Sequence, residues 1–191
     1  MQDDLTQQLA FLTEIDALKS VVRQSLIADR SRRENSAEHS WHLAMFALIL
    51  APDDLDKSKI IAMLLIHDIV EIDVGDAPIH GGHDKAALEL AEAAAARRLF
   101  GLLPEGQAIH LLGLWQEFEA AATPEAKFAK SLDRLQPLML NTLTGGGTWT
   151  ESNVSEQQVY ERYGPAIEGG SPSLWARARD MVRQHFARSS A

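Results

Sequence analysis

Two histidines and two aspartates in the sequence are of the types that bind divalent metal ions. His67 and Asp68 are adjacent and directly follow the apolar run Ile60–Ile66. Charged residues are rarely buried without a partner, so this pair is a candidate site. His39 and Asp133 lie far away along the chain, on two other predicted helices. Facing helices of a bundle can each point one ligand into a shared interior site.

These four side chains offer only nitrogen and oxygen ligands. The chain has no cysteine, which excludes disulfides, thiolate metal sites and cysteine nucleophiles. A mixed nitrogen and oxygen site suits Mn, Co, Fe, Zn or Mg. Each residue taken alone also has an ordinary explanation. His39 could pair with a carboxylate at a helix start, Asp68 could belong to a structural ion pair, and Asp133 could be a solvated helix residue.

Two further acids follow the His-Asp pair. Glu71 comes four residues after His67, which predicts that both lie on one helix face and that Glu71 is near the metal, without requiring that it ligate the metal. The helix dipole disfavours an acid at a helix C-terminus, so a nearby cation would explain Glu71. For Asp76, in a Gly-Asp turn, function and simple turn chemistry are equally good interpretations. His80 and His83 in the same loop are by default surface residues, with pocket lining as the minor alternative.

Composition limits the possible functions. The chain of 191 residues suits one domain, which we predict to span residues 1–191 with its core at about 18–147. A net charge of −9 argues against binding to a nucleic-acid polymer, although it allows a small phosphorylated substrate. The polar N-terminus lacks the features of a signal peptide, and no apolar run is long enough to span a membrane. We therefore expect a cytoplasmic protein without membrane contacts.

Apolar residues recur at helical spacing and alternating runs are nearly absent, which predicts an all-α bundle of about eight helices. In the first helix, the predicted apolar stripe consists of Leu5, Leu9, Leu12, Ile15 and Leu18. A charged connection follows it. Asn35 or Ser36 is the predicted N-cap of the second helix, and Ser155 with Gln158 predicts a capping box. The predicted helices cover about residues 5–18, 36–50, 57–71, 86–100, 104–118, 124–143, a short segment after 155, and 172–186.

Four short motifs occur in a fixed order along the chain: ENSAEHS at 34–40, HDIVE at 67–71, GDAP at 75–78 and KSLD at 130–133. Together they resemble the HD-domain phosphohydrolases, and in particular the branch of HD-domain 5′-deoxynucleotidases. The resemblance extends from about Leu18 to Gly147. It implies that one divalent metal is bound by His39, His67, Asp68 and Asp133.

The same resemblance implies further roles. Glu71 and Asp76 are the implied catalytic acid/base residues, and Arg23 is the implied phosphate- and sugar-binding arginine. Lys130 would help Arg23 to offset phosphate charge. The implied activity is release of phosphate from (deoxy)nucleoside 5′-monophosphates by a homodimer. The alternatives are a hydrolase of another phosphate ester or diester, such as a cyclic or alarmone nucleotide, and a non-catalytic helical module with a structural metal.

Overall fold

Helices account for most of the chain in a computed structural model that describes residues 3–82 and 84–189. His83 lies outside the described residues. About 75% of the structure is helical, which confirms the predicted all-α class. Among the described residues, none of the helices is long and apolar enough to cross a membrane.

The described part of the chain contains ten α-helices, and eight of them have ten residues or more, as predicted. Two 3-10 helices, Ile15–Ser20 and His67–Val70, and one short hairpin complete the fold. The α-helices are α1 Asp4–Glu14, α2 Ser36–Leu50, α3 Lys57–Ile66, α4 Glu71–Val74, α5 Lys85–Phe100, α6 Glu105–Ala120, α7 Pro124–Leu143, α8 Thr148–Glu151, α9 Glu156–Gly170 and α10 Pro172–Ser189. The strands are β1 Val22–Leu26 and β2 Arg33–Asn35.

The central element is α7, which packs against α2, α3, α6, α9 and α10. Its N-terminus is formed as predicted, because the Thr123 side chain accepts a hydrogen bond from the Ala126 N–H and Pro124 occupies the first turn. Leu132 and Leu138 on α7 are fully buried. The same hydrophobic cluster includes Val182 on α10.

Only the C-terminal end of the apolar stripe predicted for the first helix, Ile15 and Leu18, faces the core. Leu5, Leu9 and Leu12 are more than half exposed, whereas Phe11 and Leu18 are buried. The helix itself ends at Glu14 and continues as a 3-10 turn, which rotates Leu18 away from an α-helical stripe.

The segment predicted as a charged connection after the first helix contains a β-hairpin instead. β1 and β2 pair antiparallel, with Val22 opposite Asn35 and Leu26 opposite Arg33. The register shifts between these two pairs, and the buried side chains of the two strands, those of Ser25 and Glu34, are polar. The strands therefore lack the alternating apolar pattern by which a strand is recognised in a sequence.

The predicted helix over 57–71 is interrupted at His67. In an α-helix the His67 carbonyl would accept the Glu71 N–H. Here it accepts the Trp115 indole N–H at 3.2 Å, and the Glu71 N–H bonds to Asp68 and Ile69. The resulting 3-10 turn places residues three apart, rather than four, on one face. Glu71 therefore follows Asp68 by one 3-10 turn, and both carboxylates lie beside the Arg23 guanidinium.

Candidate metal centre

Three elements bring the histidines and Asp133 together. His39 is the fourth residue of α2, and the capping box formed by Asn35 and Glu38 fixes this first turn. His67 begins the 3-10 turn after α3, and Asp133 is the tenth residue of α7. All three side chains are buried.

The ligand atoms of His39, His67 and Asp133 lie within 4.8 Å of one another. Both Nε2 atoms face one oxygen, since Asp133 Oδ1 is 3.2 Å from His39 Nε2 and 3.5 Å from His67 Nε2. Asp68 lies beside this group of three. Its Oδ1 is 3.0 Å from His67 Nε2, and its Oδ2 is 3.9 Å from His39 Nε2. The structure thus brings all four sequence-predicted ligands into one cluster.

The chemistry of these donors fits a divalent cation. His67 Nδ1 lies 2.9 Å from the Leu64 carbonyl oxygen and can only donate to it, so Nδ1 carries a proton. Within the described part of the chain, the buried His67 Nε2 has no partner in hydrogen-bond geometry. A cation between the imidazoles and the carboxylates would satisfy this atom, and His39, His67, Asp68 and Asp133 are the residues that would hold it.

The charges of the cluster keep its carboxylates ionised. Burial raises the pKa of Asp133, but Arg134 and the two histidines outweigh burial and hold it well below its usual value. Burial likewise raises the pKa of Asp68, but the charges of His67 and Arg23 bring it below its usual range. Burial lowers the pKa of His67, but the charges of Asp68 and Asp133 raise it to about 10. Both carboxylates are therefore ionised and available to bind a cation.

Arg23 on β1 reaches the cluster from the hairpin. Its Nη1 lies 2.8 Å from Asp68 Oδ2, 3.6 Å from Glu71 Oε1 and 3.5 Å from Asp76 Oδ1. Its Nε is 3.5 Å from Glu34 Oε1. Burial lowers its pKa, but the surrounding carboxylates raise it above the usual value, so the guanidinium is a permanent cation.

Glu71 and Asp76 face the same guanidinium. Glu71 Oε2 accepts a hydrogen bond from Ser36 Oγ at 2.5 Å. Burial and the charge of Asp68 raise the pKa of Glu71 to about 8, and burial also raises the pKa of Asp76. Gly75 precedes Asp76 with a φ of 78°, which favours glycine, and it ends α4 so that the chain turns back toward Arg23. Both predicted acids therefore belong to the site.

Two neighbouring cavities share the Arg23 and Asp76 side chains. One, of about 220 Å³, is lined by His67, Asp68, Glu71, Asp133 and Lys130. The other, of about 210 Å³, is lined by residues of β1, the loop after Asp76, α8 and α9. Arg23, Asp76, Ala77 and Arg134 line both cavities.

Lys130 is one turn of α7 away from Asp133. Its Nζ lies 3.0 Å from Glu119 Oε1 and 3.9 Å above the centre of the Phe118 ring. Lys130 therefore lines the cavity, with its charge partly matched by Glu119.

Sequence reasoning missed several residues of the site. Arg134, whose Nη1 is 3.7 Å from Asp133 Oδ2, lines both cavities. Arg134 directly follows the predicted ligand Asp133, and this position could have indicated a role in the site. Gln136 and Ser36 contact His39 and Glu71, respectively, but an uncharged polar residue within a helix has no spacing pattern that marks it.

Comparison with known proteins identifies the family. The family model described as HD domain matches residues 15–175, so the chain belongs to the HD-domain family. It is 31% identical over 132 residues to the protein named 5′-deoxynucleotidase HDDC2 of Homo sapiens, covering 69% of this chain and 65% of that protein. The chain thus spans slightly less than two thirds of the human relative. Schizosaccharomyces pombe has a relative named 5′-deoxynucleotidase hdd1, 28% identical over 131 residues, with 66% of each chain covered.

Solved structures have the same fold. A predicted metal-dependent phosphohydrolase from Magnetospirillum magnetotacticum MS-1 superimposes with a TM-score of 0.92 and 49% identity, covering 97% of this chain and 94% of that one. The PH0347 protein of Pyrococcus horikoshii OT3 has a TM-score of 0.67 at 19% identity, covering 91% of this chain and 99% of that one, and it shows the fold alone.

Proposed function

We propose that this protein is a metal-dependent phosphomonoesterase that releases phosphate from (deoxy)nucleoside 5′-monophosphates. The observation that carries the proposal is the buried convergence of His39, His67 and Asp133, with Arg23 beside them at the junction of two cavities. The curated relatives named 5′-deoxynucleotidase support the nucleotide as substrate.

His39, His67, Asp68 and Asp133 hold one divalent cation in this proposal, and Mn, Co, Mg, Fe and Zn all suit the donor set. When bound, such a cation polarises a phosphate oxygen and lowers the pKa of a coordinated water. Arg23 binds the phosphate, because its guanidinium forms a planar, permanently charged fork. Lys130 adds positive charge to the same cavity.

Glu71 donates a proton to the leaving 5′ oxygen of the nucleoside. Its raised pKa of about 8 keeps it protonated at neutral pH, and Ser36 orients its carboxyl group. A general acid needs a pKa near the working pH, and Glu71 meets this condition. Asp76, which lines both cavities and whose pKa burial also raises, is the alternative residue for moving a proton to or from the reacting oxygens.

The proposal is tested by phosphate release from a panel of deoxynucleoside and ribonucleoside 5′-monophosphates, cyclic nucleotides and alarmones, each with several divalent metals. We expect 5′-monophosphates to be hydrolysed by the wild type and not by Asp133→Ala, which should also bind less metal. Asp180→Ala on α10 is the control, because Asp180 is exposed and pairs only with Arg183 among the described contacts. Activity in Asp133→Ala at the wild-type level would refute the proposal.

The same panel separates the alternatives. Hydrolysis restricted to cyclic nucleotides or alarmones would identify a different phosphate ester or diester as the substrate. Bound metal without hydrolysis of any compound would favour a helical module with a structural metal.

We further propose that the protein forms a homodimer through α2. Large apolar side chains at helical spacing are exposed on one face of this helix, which ordinarily marks a protein contact. Trp, which is enriched at the energetic centre of interfaces, lies on this face. The residues are Trp41, Met45, Leu48 and Ile49.

A further inference from the structure

The buried amide of Gln136 connects His39 to a buried acid. Gln136 Oε1 lies 3.1 Å from His39 Nδ1, and Gln136 Nε2 donates to Glu34 Oε2 at 2.9 Å. Gln136 is fully buried on α7, and Glu34 on β2 is 3% exposed. A buried amide costs free energy unless its polar atoms are bonded, so these contacts determine how the side chain is oriented.

The direction of this chain of hydrogen bonds follows from which atoms carry protons. Arg23 Nε lies 3.5 Å from Glu34 Oε1, so a permanent cation faces this carboxylate, and a carboxylate accepts hydrogen bonds. The NH₂ group of Gln136 must therefore face Glu34. It also lies 3.3 Å from His42 Nδ1, a second possible acceptor. The opposite orientation of the amide would place two acceptors against each other.

The Gln136 oxygen then faces His39 Nδ1, and an amide oxygen can only accept. His39 Nδ1 must carry a proton, so in the neutral imidazole that a metal requires the lone pair is on Nε2. That Nε2 is the atom that faces Asp133 Oδ1 at 3.2 Å. His67 Nδ1 likewise carries a proton, because the Leu64 carbonyl oxygen lies 2.9 Å from it.

We propose that Gln136 is a positioning residue of the metal site: oriented by Glu34, it holds His39 in the Nδ1-protonated tautomer and frees Nε2 for the cation. This inference rests on the proposed function only in taking His39 as a metal ligand. Partners of this kind raise the basicity of a ligating imidazole and fix its ring, and their loss weakens metal binding. Gln136 touches neither the cation nor the substrate.

The tautomer is measured directly in the wild-type protein. With zinc bound and the histidines labelled with ¹⁵N, nuclear magnetic resonance should detect a slowly exchanging proton on His39 Nδ1. A proton on Nε2 in the zinc-bound protein would overturn the proposal. This measurement needs no variant, so it decides even if a substitution prevents folding.

Zinc affinity, measured by competition with a chelator, tests the contribution of the amide. Gln136→Leu keeps a similar volume but removes the acceptor, and we expect affinity to fall roughly tenfold to hundredfold. Ser131→Ala is the control, since Ser131 is buried on the same helix and its hydroxyl, among the described residues, bonds only to the Phe128 carbonyl. Equal zinc affinity in the two variants would contradict a positioning role.

Exchanging the Glu34 and Gln136 side chains tests the proposed direction of the hydrogen bonds from His39 to Gln136 and from Gln136 to Glu34. Gln136→Glu places two carboxylates against each other, and Glu34→Gln leaves the amide orientation undetermined, so both variants should bind zinc more weakly. The double variant Glu34→Gln/Gln136→Glu again presents an acceptor to His39 Nδ1 and should recover most of the lost affinity. A double variant no tighter than the weaker single one would count against the proposal.

These readouts use zinc alone and no phosphate substrate. Absence of zinc binding by the wild type would therefore count against the proposed function. Zinc binding with normal phosphatase activity, but with a proton on His39 Nε2, would count against the role of Gln136 only.

Discussion

At the scale of the residue, the His67 side chain is buried and lies beside two negatively charged carboxylates. Burial lowers its pKa, but Asp68 and Asp133 raise it to about 10, so the metal-free imidazole is protonated at neutral pH. A metal ligand must be neutral, and binding a divalent cation should therefore release this proton. Affinity should therefore rise with pH up to about 10 and level off above it.

Titration calorimetry with zinc in buffers of different protonation enthalpy measures this proton release. We expect a buffer-dependent heat at neutral pH for the wild type, and a smaller one for His67→Gln. The same shift stabilises the metal-free fold fully below about pH 6.5, and this stabilisation is lost as pH rises through about 10. Heats that do not depend on the buffer would show that His67 is already neutral.

Glu71 gives a second prediction. Burial and Asp68 raise its pKa to about 8, so kcat of the wild type should fall as pH rises through this value and the proton is lost. Glu71→Gln should lose roughly 10²–10⁴ in kcat, and its residual activity should lack this alkaline decline. Glu168→Gln, the same change at an exposed position on α9, is the control. Zinc affinity should stay close to that of the wild type, because Glu71 is not a proposed ligand.

At the scale of the element, the start of α2 positions His39. The Asn35 side chain accepts from the Glu38 N–H and Glu38 returns a bond to the Asn35 N–H, one residue before His39. Asn35→Ala should lower the free energy of unfolding by about 1 kcal/mol and also weaken zinc binding. Ser155→Ala removes the equivalent capping box of α9 and should cost similar stability without changing zinc affinity. Chemical denaturation measures the loss of stability, and zinc titration measures the change in affinity. Equal zinc affinities of the Asn35→Ala and Ser155→Ala variants would show that the capping box of α2 does not position His39.

Elements with strong local signals were predicted well. α7 begins at Thr123-Pro124 and the capping box of Ser155 and Gln158 begins α9, both as the sequence predicts. α9 is longer than the predicted short helix because Pro165 lies inside it without ending it. α8, with four residues after three glycines, has no periodicity to detect.

Elements fixed by tertiary contacts were not predicted. The break at His67 has no glycine or proline beside it, and it depends on a hydrogen bond from Trp115, which is distant along the chain. The hairpin buries polar side chains that bond across the molecule. The candidate ligands could still be found, because their order and type form a motif, whereas the partners of His39 and Glu71 are known only once the helices are packed.

At the scale of the whole molecule, charge is distributed unevenly around the site. The chain has a net charge of −9, and this field attracts cations but repels anionic nucleotides. Arg23, Lys130 and Arg134 lie together in one cavity and oppose this repulsion locally. The molecule can therefore bind a cation and a phosphate side by side, with Arg23 surrounded by carboxylates until a phosphate competes for it.

The association of two copies through α2 is also a property of the whole molecule. Removing an exposed apolar helix face from water is favourable, and a partner that covers this face does so. Trp41 and Ile49 are 63% and 73% exposed on this helix. Trp41→Glu/Ile49→Glu should convert a dimer into a monomer in light scattering after gel filtration, with little loss of folding stability, since neither side chain is buried within the chain. Leu90→Glu/Ile109→Glu, equally exposed on α5 and α6, should leave the dimer intact. A wild type that stays monomeric at high concentration, or a dimer that only the second pair of substitutions dissociates, would exclude α2 as the interface.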